Sequence, residues 1–562
     1  MALAASVWLL LSGVLTSDAM SAVPADTLRK MVDRLQIDGT LEVRDTWIVA
    51  NRILIDMYDQ SDGQPLWRSP GTARQLITAI EQSRLEGLRP QDYHLPLLTH
   101  MGLGSADPPC SPHCRAERDL VLSDALIRLS FHLYYGKVDP RAHHSRWPLP
   151  AYIGNKEAAT LLIRQIESGR IGAFIDSLRP HHPVYGRLVT ALSRYQRIAD
   201  AGGWSEIPDG PLVEKGDRDV RVPLIRRRLR LTGDLPATAT DSGAVFDDDL
   251  EDAAARFQDR HRIDTFAPGD DDRYGAVGAE TREQMNVSVA RRIDQIRINL
   301  ERARWVLHHL PPTYLIADIA DFTVVLVEDD QPVWRARAQV GDAYRKTPVF
   351  RSKIKYMEIN PTWTVPPGIL DATTLPQLRK GPRDKLLEHF VVYGRDGKRV
   401  ADPSRIPWER YTGSTLPYQL VQQPGPDNPM GQIKFIFPNP DFVFIHDTPR
   451  RDFFDREKRD LSAGCIRIER PFELARSLLQ RDGQPAEDRL QTLLRSGRTE
   501  RIHLKDPFPV ILFYGTVSVN DQGVVAFRED IYERDPALLQ ALDEPAAPPW
   551  RKKVAPAAPV QP

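Results

Sequence analysis

The chain has 562 residues, too many for one ordinary core, and its length suggests about three or four domains. Its 75 basic and 76 acidic residues leave a formal charge of −1, which argues against a nucleic-acid partner or an anionic membrane surface, since both need a concentrated basic excess. Hydrophobic residues at 41% and charged residues at 27% describe an ordinary globular chain, and the 47 prolines point to long ordered loops.

Residues 2–16, ALAASVWLLLSGVLT, form one apolar run. It is short for a spanning helix, which needs about 20 residues. Small residues follow in SDAMSAVPA, so residues 1–25 are expected to be an export signal or an N-terminal anchor, although the first basic residue is Arg29. Residues 26–205 read as a helical scaffold: LRKMVDRLQ, ARQLITAIEQSRLEGL and DALIRLSFHLYYGKV carry apolar residues at helical spacing, with Gly87 and Gly136 where a helix would stop. Cys110 and Cys114 sit in PPCSPHCRAE and could form a small local disulfide in an oxidising compartment. His113 alone adds too little for a zinc site, so no metal is expected. That pairing leaves Cys465 odd, and an odd cysteine in an exported chain is a candidate reactive thiol.

Residues 211–290 read as a small three-helix module, built on KGDRDVRVPLIRRRLRLTGDL, FDDDLEDAAARFQDRHRI and YGAVGAETREQMN, its arginines expected on a solvated face. A connecting helix is expected over 291–312, with Ile293, Ile296, Leu300 and Val306 on its apolar side. Strands follow in TYLIADIADFTVVLVEDDQPVWRARAQVG, with a hairpin turn at EDDQP. A polar, Pro-rich stretch runs from about Asn360 to Asn428. DFVFIHD reads as a strand, and PVILFYGTVSVNDQGVVAF as a hairpin turning at Asp521 to Gly523. The Ala/Pro-rich residues 545–562 are expected to be a disordered tail.

Chemistry concentrates in FIHDTPRRDFFDREKRDLSAGCIRIERP. A strand ends at His446, a charged loop follows, Ser462-Ala463-Gly464-Cys465 makes a turn, and Ile466-Arg467-Ile468 is extended again. Such a turn exposes a thiol and aims backbone N–H groups at one place, and a nearby base would generate the thiolate. On spacing alone two plainer readings stay open: Cys465 as a small core hydrophobe and His446 as a hydrogen-bonded structural residue.

The segment from His446 to Arg467 resembles the active-site motif of the L,D-transpeptidase catalytic domain (the YkuD domain). That motif is a His, a loop, and Ser-x-Gly-Cys with an Arg two positions later, here His446, Ser462, Gly464, Cys465 and Arg467. NPMGQIKFIFPN, HDTP, NPTWTVPPGIL and PVILFYGTVSVNDQGVVAFREDIYERD are similar to the long-chain, YcbB-like branch. KGDRDVRVPLIRRRL, FDDDLEDAAARFQ and YGAVGAET resemble the peptidoglycan-binding type 1 domain, with a departure in the insertion FAPGDDDRYGAV. The N-terminal helices resemble the scaffold of the same branch more loosely.

The resemblance implies a multidomain α+β chain: a helical scaffold, a three-helix peptidoglycan-binding module, and a mostly-β catalytic domain over 313–540 with a capping insertion at about 363–428. It implies that Cys465 is the nucleophile and His446 the proton donor and acceptor, with the Gly464 and Cys465 N–H groups as oxyanion hole. The Asp447 main chain would orient His446, its side chain being the alternative. Arg467 either binds a substrate carboxylate or holds the strand; Ser462 is a turn hydroxyl; Met430 and Gly431 shape the pocket floor. Trp363, Tyr411 and Tyr418 either line the cleft or pack in a core. The implied reaction is acyl transfer from a tetrapeptide stem, with loss of D-Ala, to the side-chain amine of a second stem, giving a 3→3 crosslink in the wall. The alternatives are hydrolysis on the same site (an L,D-carboxypeptidase or endopeptidase) and an inactive wall-binding scaffold. No metal or organic cofactor is implied. The expected partners are peptidoglycan stem peptides and glycan, with other cell-wall enzymes possible, in the periplasm or envelope of a Gram-negative bacterium.

Overall fold

The computed structural model describes residues 25–49, 52–102, 111–143, 147, 153–265, 272–381 and 383–545. The apolar run 2–16, Cys110, residues 266–271 of the module insertion and the tail beyond 545 lie outside the described residues. Cys114 is disulfide-bonded and Cys465 is free.

The scaffold is helical, as its periodicity predicts. Its main helices are Ala25–Asp38, Arg52–Gln60, Pro70–Gln82, Pro112–Tyr135, Asn155–Ser168 and Pro183–Asp200. A small hairpin, β1 (Thr40–Val43) and β2 (Thr46–Val49), interrupts them. Two helices start on the same signal: Ser69 and Ser111 each accept the N–H three residues on, and a proline follows directly. Gly136 ends Pro112–Tyr135 at φ +89°, and a Cβ there would lie 2.6 Å from Trp305 Nε1 and 2.7 Å from Glu301 Oε1. The glycine thus stops one helix and lets another pass close by.

The second module is three helices, Val222–Thr232, Asp248–His261 and Ala279–Asn286, around Ile225, Leu229, Leu250, Ala254 and Phe257. Its arginines are not all on a solvated face. Arg226 and Arg228 are buried. Arg226 donates to the carbonyls of Thr240 and Val245 and pairs with Asp247; Arg228 donates to the Met285 carbonyl and lies 3.8 Å from the Trp204 ring centre. These guanidiniums tie down loop backbone that the small core cannot reach, so their burial is structural.

The expected connector is the long helix Val289–Leu307. It is buried well beyond its apolar side, because Arg292, Asn299, Glu301, Arg302 and Arg304 are inside as well. Glu301 accepts from Val138 N–H at 2.7 Å and pairs with Arg304 at 2.9 Å. Arg304 also donates to the Glu86 carbonyl, while the Glu86 carboxylate takes Tyr185 Oη and Arg179. The helix is therefore bound to the scaffold through paired buried charge.

The C-terminal domain contributes β3 (Tyr314–Asp318), β4 (Thr323–Glu328), β5 (Gln331–Gln339), β6 (Phe350–Ile359), β7 (Trp363–Thr364), β8 (Phe390–Gly394), β9 (Tyr418–Gln422), β10 (Ile433–Ile436), β11 (Ile445–His446), β12 (Ile466–Ile468), β13 (Glu500–Phe513), β14 (Val517–Val519) and β15 (Val525–Phe527). Eight of them close a barrel in the order β10-β11-β12-β5-β4-β3-β13-β6. Its interior includes Leu315, Val324, Ile354, Met357, Phe435, Ile445, Ile466 and Leu512. Asp329 and Asp330 both have positive φ (48° and 63°), the geometry of a tight hairpin turn, so EDDQP folds as expected.

The hairpin expected over 509–527 is divided. β13 belongs to the barrel, and only β14 and β15 form the hairpin around Asp521–Gly523. Between them Gly515 N–H bonds Asp318 and Thr516 N–H bonds Asn299 of the long helix, which draws the chain off the barrel.

Residues between β6 and β10 form a cap with its own sheet, β7-β9-β8, and its own core of Leu375, Leu378, Trp408 and Leu420. Trp363, Tyr411 and Tyr418 pack against that core. Both roots of the cap are fastened: Asn360 N–H bonds the Gln432 carbonyl, and Asn428 Nδ2 bonds the Pro361 carbonyl at 3.0 Å.

Glu301→Ala would leave Arg304 buried without its carboxylate and the Val138 N–H without its acceptor. The expected loss is about 3–5 kcal/mol, read from the urea midpoint by far-UV circular dichroism, with Glu301→Gln losing less.

Candidate active site

β11 and β12 are adjacent and parallel, with Ile445 opposite Ile466 and His446 opposite Arg467. Burial alternates along β12, where Ile466 and Ile468 point into the barrel; both residues of β11 are buried, and Ile445 lies in the barrel core, so strand alternation sets His446, Cys465 and Arg467 on the outer face. The strand pairing thus brings together two residues nineteen positions apart in sequence.

The nucleophile turn is held from several sides. Ser462 bridges to β5's exit through Ser462 N–H to the Val340 carbonyl (2.8 Å) and Asp342 N–H to the Ser462 carbonyl (3.0 Å). The Ser462 hydroxyl donates to the Cys465 carbonyl and accepts the Gly464 N–H at 3.1 Å. Thr347 donates its hydroxyl to the Gly464 carbonyl (2.9 Å) and accepts Gly341 N–H (2.9 Å); its own N–H reaches Tyr532 Oη (3.0 Å). Gly464 has φ +106°, and a Cβ on Gly341 would sit 2.0 Å from the Arg345 carbonyl oxygen and 3.0 Å from Gly464 Cα. Both glycines are required by the turn itself.

The Ser462 hydroxyl is thus spent within the turn. Of the two expected oxyanion donors, Gly464 N–H is already bonded to Ser462, whereas Cys465 N–H has no acceptor among the described residues. The Cys465 thiol is half-buried and faces the Phe442 carbonyl at 4.0 Å. Phe442 is itself exposed at φ +53°, in a loop braced by Asn439, which bonds Phe437 and Val443 backbone.

His446 is buried, and its Nδ1–H donates to the Asp447 main-chain carbonyl. That leaves the Nε2 lone pair as the site for a proton. The Asp447 side chain is used elsewhere: it accepts Gln432 N–H at 2.9 Å and pairs with Arg451 at 2.7 Å. The main-chain orienter is thus the one present. Gly431, at φ +62°, lies so close to Asp447 that a Cβ would come within 2.5 Å of its side chain. The Met430 carbonyl faces the imidazole, and Met430 N–H is fixed by Asn428 Oδ1 at 2.9 Å. Met430 and Gly431 form a wall against the histidine.

Burial, with the Arg467 and Lys434 charges assisting, pushes His446 down to about 3. Burial pushes the Cys465 thiol up, opposed by the Phe444 N–H and the charges of Lys434 and Arg467. Both shifts favour neutral thiol beside neutral imidazole at rest. Arg467 donates Nη1 to Gln339 Oε1 at 3.2 Å, while its Nε is buried without a partner.

The sequence reading missed Thr347, Gly341, Tyr532, Asn428 and Lys434. Only Lys434 left a local trace, a charge among the apolar residues of IKFI. The others act through contacts far apart in sequence.

Residues 312–492 match the family model of the L,D-transpeptidase catalytic domain, and residues 52–192 match that of a scaffold domain. A Haemophilus influenzae protein named, by inference, an L,D-transpeptidase is 32% identical over 221 residues, 39% of this chain and 44% of that protein. The chain thus spans less than half the length of this relative. An Ldtfm–avibactam carbamoyl enzyme structure is 12% identical over 37% of this chain and 51% of its own, with a TM-score of 0.18. An L,D-transpeptidase from Mycobacterium smegmatis is 13% identical over 36% of this chain and 58% of its own, with a TM-score of 0.17. Likenesses that weak carry no weight here.

A His446 pKa of about 3 in the folded chain, against about 6.5 unfolded, ties stability to pH. Because the folded value is depressed, the neutral form's contribution is complete above the unfolded pKa. It is lost progressively as pH falls from there to about 3. Urea midpoints measured between pH 7 and 4 are expected to fall less steeply in His446→Gln than in the wild type.

Proposed function

We propose that this chain is a peptidoglycan L,D-transpeptidase working through Cys465 and His446. The observation that carries the proposal is the parallel β11/β12 pairing, which sets a histidine held through Nδ1 by the Asp447 carbonyl on the same outer face as the thiol of a glycine turn. The matched catalytic-domain family supports the same reading.

In this mechanism His446 Nε2 removes the thiol proton as Sγ attacks the carbonyl between the third residue of a tetrapeptide stem and its terminal D-Ala. The Cys465 N–H receives the oxyanion, joined by Gly464 N–H if Ser462 releases it. The imidazolium returns its proton to the departing D-Ala amine, and a thioester remains on Cys465. The side-chain amine of a second stem then attacks, His446 takes its proton, and the new amide forms as thiolate leaves and is reprotonated. Since both groups are neutral at rest, proton transfer accompanies attack. The cap over 363–428 would keep water from the thioester and so favour an amine over hydrolysis. We further read the 211–290 module as holding the enzyme to the wall, and the site of action as the cell envelope, reached by an N-terminal signal or anchor.

With a tetrapeptide muropeptide as substrate, wild-type protein is expected to release D-Ala and yield crosslinked dimer, with an acyl adduct on intact mass. Cys465→Ala should show neither product nor adduct, and His446→Gln should lose at least 100-fold in rate, as for a lost general base. D-Ala without dimer would mean hydrolysis; no adduct on folded, reduced protein would favour a wall-binding scaffold.

A further inference from the structure

The outer face of the barrel carries one continuous row of polar side chains through the histidine. Register places Gln339 beside Arg467, Arg467 beside His446, His446 beside Lys434, Lys434 beside Glu358, and Glu358 beside Arg501. Neighbours in such a row stand about 5 Å apart, so His446 sits directly between two cations.

Neither cation has a carboxylate in an ion pair with it among the described residues. Glu358, the anion nearest Lys434 in the row, is paired with Arg501 at 3.0 Å. Arg467 reaches only the uncharged Gln339, and its Nε is buried without an acceptor. Lys434 is half-buried, its Nζ lies 4.1 Å from the centre of the Phe444 ring, and it has no ion pair among the described residues. The ring restores part of the lost hydration. It does not neutralise the charge. Burial lowers the Lys434 pKa, and the nearby Glu358 carboxylate and Cys465 only partly oppose this. A half-buried cation pair without a counterion is costly in the free protein, and an arriving anion relieves it.

Position identifies the anion. Lys434 is the second residue of β10, immediately after the cap's return through Met430 and Gly431, so it lies where the cap root meets the face bearing Cys465. We propose that Lys434 is a specificity-determining residue of this site, receiving with Arg467 a carboxylate of the stem peptide beside the scissile bond. The proposal rests on the transpeptidase reading. Two groups in the donor stem have that chemistry: the carboxylate of the diamino acid at position three and that of the terminal D-Ala.

The test is steady-state release of the leaving group (D-Ala, or D-alaninamide from a stem amidated there) by full-length wild type, Lys434→Met and Lys434→Arg. Three tetrapeptide stems are compared: unmodified, amidated at the residue-three carboxylate, and amidated at the terminal D-Ala. The rate of Cys465 alkylation by iodoacetamide against pH is followed in parallel. Lys434→Met is expected to raise KM about tenfold on the unmodified stem, the loss of one charge-assisted bond, while Lys434→Arg keeps most of the affinity. One of the amidated stems should show no difference between wild type and Lys434→Met, and that stem names the carboxylate. An equal KM penalty on all three stems would overturn the proposal, as would a change in kcat alone with a shifted alkylation profile, which would make Lys434 a thiolate stabiliser. If wild type turns over normally and Lys434→Met matches it, only the Lys434 proposal falls. If wild type releases neither D-Ala nor D-alaninamide from any of the stems, the transpeptidase reading falls and takes this one with it.

Discussion

The site depends on a two-residue parallel pairing. Ile445 stands against Ile466 and His446 against Arg467, and the Ile466 N–H bonds the Phe444 carbonyl at 2.9 Å. A slip of one residue would turn His446 into the barrel and an isoleucine out. The register is fixed because Ile445 and Ile466 are fully buried among Val443, Phe435 and Ile468, and neither could move outward without exposing a large apolar side chain. Parallel strands need a crossover, and the charged loop 447–465 supplies it, ending in the glycine turn that presents the thiol.

Around that pairing the protein spends backbone contacts on rigidity. Val340, Asp342 and Thr347 from one side, and Asn428 and Gly431 from the other, fix the nucleophile turn and the histidine independently. Tyr532, from the chain's last described segment, donates to the Gly341 carbonyl at 2.6 Å and so couples the turn to the region that also meets the long helix. The helix in turn is locked to the scaffold through Glu301, Arg304 and Glu86. Scaffold and site are thereby one mechanical unit.

The electrostatics follow from the same burial. A cation on each side of His446 discourages its protonation, while those charges favour a thiolate once it forms. Free energy is lowest with both groups neutral until substrate brings negative charge and an electrophilic carbon together.

Local patterns determined a good deal. Helical periodicity marked the scaffold, EDDQP marked a hairpin, and Ser462-Ala463-Gly464-Cys465 marked a turn that carries the thiol, because each depends on residues adjacent in the chain. Tertiary structure alone decided the rest. Strand pairing made His446 the neighbour of Arg467 and Lys434, and a bond to Asn299 took Thr516 off the barrel to divide an expected hairpin. The module's arginines went inside because distant loop carbonyls needed donors. Register, counterions and burial are properties of residues far apart in sequence, and no local pattern records which partner a side chain will meet.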